Sequence, residues 1–401
     1  LESMHAESRL NMDSFLAEHR LLPNSPLTLT LLDRFFASCH PVACFINHDA
    51  FRTAKDTATH YPVKMVIVAD TMFHDALQPF IAWKTKKGFI VDEAYTSNPA
   101  VGTTTTSISS YLQAQYDNAT TWNPAPTFIL IVGDVAQVPA YSGTEGSHVS
   151  DMYYAEFTGD MIADAYFGRF SATNVDQLQP QIDKTLEYEQ YLFPAESWLD
   201  TVVMIAGVDG SFGPTHANGQ INYGTTYYFN PTNGIHSFTH LYPASGSDDA
   251  IIRAEIGNGV SLANYTAHGY SDGWGDPSFD KSDIPAMNNA HQYPLMIGNA
   301  CLTNKFEESE CFGEALLRAD MKGAIGYIGG SNSTYWDEDF YWGVGVRSTI
   351  NATPVYDANN LGAYDRTWHI TGEPFSEWFV SQGQMILAGN LSVLEGSPTS
   401  F

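Results

Sequence analysis

Short apolar runs alternate with longer amphipathic segments along this chain from Pro62 onward. The runs are rich in Val, Ile, Leu and aromatic residues, which is typical of buried strands; they are Val63–Ala69, Phe89–Tyr95, Thr127–Val132, Thr201–Ala206, His236–Leu241, Val260–Tyr265, Tyr293–Gly298 and Ala324–Gly329. The segments between them predict helices at His74–Lys87, Thr105–Tyr116, Asn174–Tyr191, Tyr223–Tyr228, Asp249–Gly257 and Phe312–Ala319. This alternation predicts parallel sheets with helices on both faces.

Two of the predicted strands lead into turns that carry a reactive side chain. Val260–Tyr265 is followed by His268 and Gly269, and Tyr293–Gly298 is followed by Cys301. Ligands of parallel α/β sheets bind beyond the carboxyl ends of the strands, so we expect His268 and Cys301 to lie side by side.

That pair of side chains suits covalent catalysis. An imidazole beside a thiol promotes ionisation of the thiol and later protonates the leaving amine. The backbone N–H groups of Gly269 and Cys301 could form an oxyanion hole. The alternative is a core histidine and a buried free cysteine, which are common together.

Composition narrows the classes of partner. The chain has 18 basic and 45 acidic residues among 401, a net charge of −27. Phosphate binding needs basic patches, so nucleic acid is not expected as a partner. A negative field favours cationic substrates, although solubility outside a cell is an alternative explanation. No apolar run is long enough to predict a transmembrane segment.

The cysteines do not form a disulfide scaffold, because four are too few at this length. A compact cluster near the start of the chain could hold zinc, although its spacing matches no standard finger; it consists of Cys39, His40, Cys44 and His48. Free thiols or a local disulfide between Cys39 and Cys44 are the alternatives.

The residues around His268 and Cys301 belong to a longer series of sequence blocks. In chain order these are Asn264-Tyr265-Thr266-Ala267-His268-Gly269, Trp274-Gly275-Asp276-Pro277-Ser278, Gly298-Asn299-Ala300-Cys301, Cys311-Phe312-Gly313-Glu314-Ala315, Lys322-Gly323-Ala324, Tyr327-Ile328-Gly329 and Tyr335-Trp336-Asp337-Glu338-Asp339-Phe340-Tyr341-Trp342. With this order and spacing, the chain resembles the gingipains, secreted clan-CD cysteine peptidases. The last block resembles the lysine-specific type more than the arginine-specific type.

The resemblance implies a caspase-like α/β fold: two adjacent sub-domains with mainly parallel sheets flanked by helices. We assign residues 1–55 to an N-terminal extension or pro-segment, 56–170 to catalytic sub-domain A and 171–401 to catalytic sub-domain B. The family has a further immunoglobulin-like domain, so we expect the C-terminal end of this chain to be truncated.

The resemblance also assigns catalytic roles. Cys301 is the nucleophile and His268 the general base and acid. Asp209, which follows Gly207-Val208 at the end of a predicted strand, matches the acid that orients the imidazole. The alternative for Asp209 is the N-cap of a helix, where Asp is common.

A specificity pocket for lysine is implied in the same way. Asp339 matches the pocket carboxylate of the lysine-specific type, and Trp336 matches an aromatic side chain that would flank the lysine stem. The arginine-specific type carries its pocket acid shortly after the triad acid, and Gly210–Gln220 contains no acid. Asp339 follows Asp337 and Glu338, so a solvated surface acid is the alternative.

A structural calcium ion is a further implication of the resemblance, because hard oxygen ligands in irregular loops suit calcium. The matching positions are Asp160, Asp164, Glu314 and the backbone carbonyl of Phe306. One family acid is replaced by Thr158 in this sequence. No organic cofactor is expected.

Together these observations predict a secreted or cell-surface bacterial cysteine endopeptidase that cleaves protein and peptide substrates after lysine. The alternatives are a catalytically silent homologue or adhesin-type binding module, and a sortase-like transpeptidase with the same dyad. Residues 1–55 are a candidate inhibitor of the enzyme itself, and Lys55 is a candidate self-processing site.

Overall fold

The computed structural model describes residues 63–144, 146–368 and 378–397. The strands, numbered in chain order, are β1 (Lys64–Ala69), β2 (Ile90–Tyr95), β3 (Phe128–Val132), β4 (Tyr141–Ser142), β5 (Val149–Ser150), β6 (Tyr166–Phe170), β7 (Thr201–Ala206), β8 (His236–His240), β9 (Leu262–Thr266), β10 (Gly269–Tyr270), β11 (Gly273–Trp274), β12 (Phe279–Asp280), β13 (Leu295–Asn299) and β14 (Gly326–Gly329). The α-helices are α1 (His74–Lys86), α2 (Thr105–Asp117), α3 (Val175–Glu189), α4 (Asn218–Tyr227), α5 (Asp249–Gly257), α6 (Phe312–Arg318), α7 (Trp336–Val344), α8 (Ala363–Thr367) and α9 (Gln382–Gly396).

The first sheet has the strand order β2-β1-β3-β6, and all of its neighbouring strands are parallel. Every residue of the central strand β1 is buried, because helices cover both faces of the sheet. Val66 and Val68 pack in one core cluster with Ile108 and Leu112 of α2. The intervening side chains of β1 point to the opposite face, where α1 and α3 pack.

The second sheet has the order β14-β13-β9-β7-β8 and is also parallel throughout. One face packs against α5 and α6, through side chains such as Ile252 and Phe312. The other face packs against α4, α7, α8 and α9, through side chains such as Ile221 and Phe340. Two small antiparallel sheets, β4-β5 and β10-β11-β12, lie in the connections.

Several helices begin at polar residues whose side chains accept a hydrogen bond from a free backbone N–H of the first turn. Thr104 caps α2 and Asn174 caps α3. Ser381 caps α9 in a reciprocal arrangement with Gln384. These caps determine where the chain enters each helix.

The predicted α/β fold with parallel sheets flanked by helices is confirmed. The pattern of hydrophobic and polar positions did not predict β6, α7 or α9.

The domain limits stay a prediction. The two sheets nevertheless use consecutive parts of the chain, since the last strand of the first sheet ends at Phe170 and the second sheet starts at Thr201. The extension 1–55, its cysteine and histidine cluster and Lys55 lie outside the described residues.

Candidate active site

Three neighbouring strands of the second sheet end at the same edge and lead into the predicted catalytic residues. In the register of these strands, Ala206 of β7 pairs with Thr266 of β9, and Thr266 pairs with Asn299 of β13. Asp209, His268 and Cys301 each follow within three residues of these strand ends. The parallel sheet therefore places all three at its carboxyl edge.

Asp209 and His268 form a direct hydrogen bond. The Asp209 Oδ2 atom lies 2.9 Å from His268 Nε2. Asp209 Oδ1 accepts hydrogen bonds from the N–H groups of Ser211, at 2.7 Å, and Phe212, at 2.8 Å. Burial acts to raise the pKa of Asp209, but the hydrogen bonds from Phe212, His268 and Ser211 outweigh it and hold the pKa below its usual value. The carboxylate is therefore ionised at neutral pH.

The ionised Asp209 carboxylate can only accept, so Nε2 of His268 carries the proton of their hydrogen bond. The other ring nitrogen, Nδ1, is then left with its lone pair. Nδ1 is the atom that can take a proton from a nucleophile, as a general base must. The side chain of His268 is about half exposed, at 53%, so this nitrogen is open to substrate.

Gly269 brings the histidine loop against the nucleophile loop. A Cβ atom at Gly269 would lie 2.8 Å from the Cβ of Ala300, the carbonyl oxygen of Cys301 and the Cγ2 of Thr303. Such distances are shorter than real contacts of a Cβ atom, so any other residue would push the two loops apart. The glycine is thus required for the close approach of the loop that carries His268 to the loop that carries Cys301.

The sulfur of Cys301 contacts a residue that the sequence did not indicate. The Thr334 N–H donates to Sγ at 3.3 Å, and the thiol donates to the Thr334 carbonyl oxygen at 3.5 Å. Thr334 lies in the loop after β14, the strand next to β13. The sequence around Thr334 is polar and rich in glycine, and it shows no hydrophobic periodicity. The one feature that could have pointed to Thr334 is its place at the same edge of the sheet as Cys301.

Asp339 lies one hydrogen bond further from the nucleophile. The Thr334 hydroxyl donates to Asp339 Oδ2 at 2.8 Å. Burial raises the pKa of Asp339 to about 7, against the opposing effect of the Thr334 hydrogen bond. Part of the residue reaches the surface, but the carboxyl group is surrounded by protein. A carboxyl group of this kind is able to receive a cation that replaces its lost solvation.

Trp336 joins the pocket to the catalytic pair. Its ring lies against His268 with centroids 5.5 Å apart and planes at 87°. On another side it stacks with Phe212, at 5.4 Å and 15°. His216, whose Nε2 lies 2.8 Å from Asp337, adds an edge contact to Trp336. Phe212 and His216 were not predicted, since their roles depend on contacts with α7 across the sheet edge.

Glu314, a predicted calcium ligand, is held by protein groups instead. Its Oε1 accepts from Arg318 at 2.8 Å and from the Ser171 hydroxyl at 2.5 Å, and its Oε2 accepts from the Cys311 N–H at 2.8 Å. Arg318 also donates to Asp134 at 2.9 Å. The side chains of Arg318, Glu314 and Asp134 are each at most 7% exposed, so the guanidinium offsets part of the cost of burying the two carboxylates. Burial still raises the pKa of Glu314, against the opposing effect of Arg318.

Two other predicted calcium ligands, Asp160 and Asp164, accept hydrogen bonds from nearby backbone groups. Asp164 accepts from the N–H groups of Phe157 and Thr158, and Asp160 accepts from the Ile162 N–H, so both stabilise an exposed turn. For Phe306 the predicted ligand is the backbone carbonyl; the ring of this residue packs on the Arg169 guanidinium, 5.1 Å away. Across the described ranges, no three His, Cys, Asp or Glu side chains converge as a metal site. Calcium binding by this ligand set stays an untested prediction.

We expect a chelator to leave the melting temperature unchanged, because Glu314 and Asp134 are both paired with the Arg318 guanidinium. Arg318→Met should lower the free energy of unfolding by about 3–5 kcal/mol, the usual effect of removing one partner of a buried ion pair. Both expectations are measured by thermal melts of the unmutated protein and of Arg318→Met, each with and without EDTA. A lower melting temperature of the unmutated chain in EDTA alone would show that a bound metal does stabilise the fold.

No helix within the described part of the chain combines the length and apolar character that crossing a membrane requires.

Comparison with known proteins gives three findings on sequence. The profile of peptidase family C25 matches residues 58–397. A Lys-gingipain of Porphyromonas gingivalis is 36% identical over 332 residues, which cover 82% of this chain and 19% of that protein. Gingipain R2 of the same organism is 29% identical over 271 residues, which cover 65% of this chain and 35% of that protein. The chain thus spans about a fifth of the length of the Lys-gingipain.

Solved structures agree with this result. A protease structure superposes with a TM-score of 0.75 at 34% identity, covering 86% of this chain and 74% of the other. The crystal structure of gingipain R, an Arg-specific cysteine proteinase, superposes with a TM-score of 0.69 at 22% identity, covering 84% of this chain and 74% of the other. At that identity the second likeness supports the fold alone.

Proposed function

This chain belongs to peptidase family C25, and from that premise we propose that it is a cysteine endopeptidase that cleaves peptide bonds after lysine. The single observation that carries the lysine preference is the Asp339 carboxyl group, buried beside the nucleophile and linked to it through Thr334. The Lys-gingipain likeness supports the same preference.

The chemistry follows from the positions of the three catalytic side chains. His268 Nδ1 takes the proton of the Cys301 thiol, and the thiolate attacks the carbonyl carbon of the scissile bond. The same imidazole then gives its proton to the leaving amine, and a water molecule hydrolyses the acyl-enzyme. Asp209 keeps the imidazole in the tautomer that leaves Nδ1 free and stabilises the imidazolium that forms.

Stabilisation of the oxyanion is proposed for the backbone at the same edge. The N–H groups of Gly269 and Cys301 lie on two loops that touch, since a Cβ atom at Gly269 would lie only 2.8 Å from the Cys301 carbonyl oxygen. Fixed backbone donors of this kind stabilise the charge that develops on the carbonyl oxygen and need no reorganisation during the reaction.

Lysine suits the pocket better than arginine for a geometric reason. An ammonium is a compact charge that one carboxylate can meet, whereas a guanidinium requires a planar partner with several acceptors. Trp336 supplies an apolar face for the four-carbon stem of lysine. The chain after Asp209 has no second acid up to Gln220 that would receive a guanidinium.

The experiment that tests the proposal is covalent labelling. We expect a peptidyl lysine acyloxymethyl ketone to modify Cys301, and mass spectrometry of the digested protein to locate the adduct there. The matched reagent with norleucine keeps the alkyl stem without the ammonium and should react at least about ten-fold more slowly, since it forms no ion pair with Asp339. Absence of an adduct on Cys301 would favour a catalytically silent homologue.

Location and maturation are part of the same proposal. The relatives are proteins of a bacterium, and we propose that this chain is likewise bacterial and acts outside the cell or at its surface. One solved relative is a complex of pro- and mature domains of a gingipain. An inhibitory role for residues 1–55, and their release after Lys55, are proposed on this basis.

A further inference from the structure

Thr334 contacts the nucleophile and the specificity pocket at the same time. Its backbone N–H donates to Cys301 Sγ at 3.3 Å, and its carbonyl oxygen accepts from the thiol at 3.5 Å. Its side-chain hydroxyl lies 3.9 Å from the same sulfur and donates to Asp339 at 2.8 Å. One residue therefore connects the reacting atom with the carboxyl group that selects the substrate.

The sulfur is held by this residue rather than by the histidine. Among the described residues, the hydrogen bonds of Cys301 Sγ go to Thr334, and none joins it to His268. In this geometry the thiol can donate its proton to the Thr334 carbonyl oxygen. The imidazole of His268 must come within hydrogen-bond reach of the sulfur before it can take that proton.

Transfer of the thiol proton to His268 changes which of the contacts between Cys301 and Thr334 are favourable. When Nδ1 of His268 takes the thiol proton, the sulfur keeps the electron pair as a negative charge and can no longer donate. The Thr334 N–H already points at the sulfur and then becomes a charge-assisted donor, which is about twice as strong as a neutral one. A donor that strengthens only in the ionised form promotes ionisation of the thiol.

The position of that N–H depends on the pocket acid. Thr334 belongs to the loop between β14 and α7, and the hydroxyl bond to Asp339 ties the loop to the first turn of α7. The Asp339 N–H in turn donates to the Tyr335 carbonyl at 2.8 Å, which closes that turn. Without the hydroxyl, the N–H of Thr334 would lose the side-chain bond that aims it at the sulfur.

We propose that Thr334 is a positioning residue that couples the lysine pocket to activation of the nucleophile, with its backbone N–H stabilising the Cys301 thiolate and its hydroxyl anchored on Asp339. The inference rests on the proposed function for its role in catalysis. Its effect on the thiol, however, can be measured without any peptide substrate.

The test is the pH dependence of alkylation of Cys301 by iodoacetamide, followed on the Cys301 peptide by mass spectrometry. Among the described residues, two titratable groups lie around this part of the site: Asp339 of α7, hydrogen-bonded to Thr334, and His268, on the loop that touches the Cys301 loop at Gly269. Thr334→Val removes the hydroxyl at nearly constant volume and should move the midpoint of alkylation to higher pH by about one unit, which is a ten-fold loss of thiolate. Thr334→Ser keeps the hydroxyl and should restore the midpoint.

Two further variants separate this role of Thr334 from a general effect of substitutions near the thiol. Ser333→Ala removes the exposed neighbouring hydroxyl and should leave the midpoint unchanged. Asp339→Asn can still accept the Thr334 hydroxyl but lacks the negative charge that disfavours a nearby thiolate. Its midpoint should therefore shift to lower pH, opposite to that of Thr334→Val.

Kinetics provide a second readout. On a lysine peptide, Thr334→Val should lower kcat about ten-fold at neutral pH with a smaller change in KM, because the loss affects the nucleophile. An alkylation midpoint equal to that of the unmutated chain would overturn the inference even if the enzyme cleaves after lysine. A shifted midpoint in a chain without peptidase activity would instead refute the proposed function alone. Should valine prevent folding, Thr334→Ala removes the same hydroxyl with a smaller side chain.

Discussion

Cys301→Ala is expected to abolish peptide-bond hydrolysis while leaving the fold intact. In the proposed mechanism the sulfur forms the acyl-enzyme, and the other free cysteine among the described residues, Cys311, is buried. Loss of a nucleophile or of its base in a comparable triad lowers kcat by roughly 10⁶-fold. The measurement is the rate of release of a fluorophore from a lysyl peptide, with circular dichroism as the control for folding.

His268→Ala should cause nearly the same loss, because the members of such a triad act as a unit. The double variant should then be no slower than either single variant. If the Cys301→Ala chain kept its peptidase activity, another nucleophile would perform the reaction and the whole assignment would be wrong. If the double variant were slower than both single variants by a large factor, Cys301 and His268 would act independently.

Asp339→Asn should remove most of the preference for lysine. An ammonium brought into the pocket would no longer find a carboxylate, and leaving such a charge unpaired costs about 2–5 kcal/mol. The measurement is the ratio of kcat/KM for two peptides that differ only in Lys or Arg before the scissile bond. Glu338→Gln, a neighbouring acid on the same helix, is the matched control and should keep the ratio.

The same pocket predicts that kcat/KM for lysine peptides depends on pH. Burial raises the pKa of Asp339 to about 7 in the absence of substrate, so below that pH the carboxyl group is mostly neutral. For lysine peptides kcat/KM should therefore rise as the pH passes upward through 7, and Asp339→Asn should lose that rise. If Asp339→Asn left the ratio of kcat/KM for the Lys and Arg peptides unchanged, the specificity pocket would lie elsewhere.

The part of the site that follows from strand ends could be predicted from sequence. Asp209, His268 and Cys301 come directly after apolar runs, and parallel strands bring their carboxyl ends together. Thr334 could not be predicted in this way, because Gly330–Thr334 carries neither periodicity nor an ionisable group. Its role comes from its backbone N–H, which every residue type except proline possesses.

Long-range ion pairs are the other class of feature that a single sequence does not show. Arg318 and Asp134 lie far apart in the chain and meet only because the two sheets pack together. The sequence predicts Glu314 as a calcium ligand, which stays untested, but it does not indicate the ion pair of Glu314 with Arg318. Similarly, α7 begins with three consecutive acids among aromatic residues, and this composition does not match the apolar stripe of an amphipathic helix.

The buried carboxyl group of Asp339 also affects the stability of the fold. The folded protein holds this proton more tightly than the unfolded chain does, since the pKa is about 7 in the fold and about 4 in an unfolded chain. Ionisation of Asp339 therefore removes stability as the pH rises from about 4 to about 7. A bound lysine side chain reverses that loss, because it supplies the missing counter-charge. We therefore expect a bound lysine side chain to raise the melting temperature more above pH 7, where Asp339 is ionised, than at pH 4.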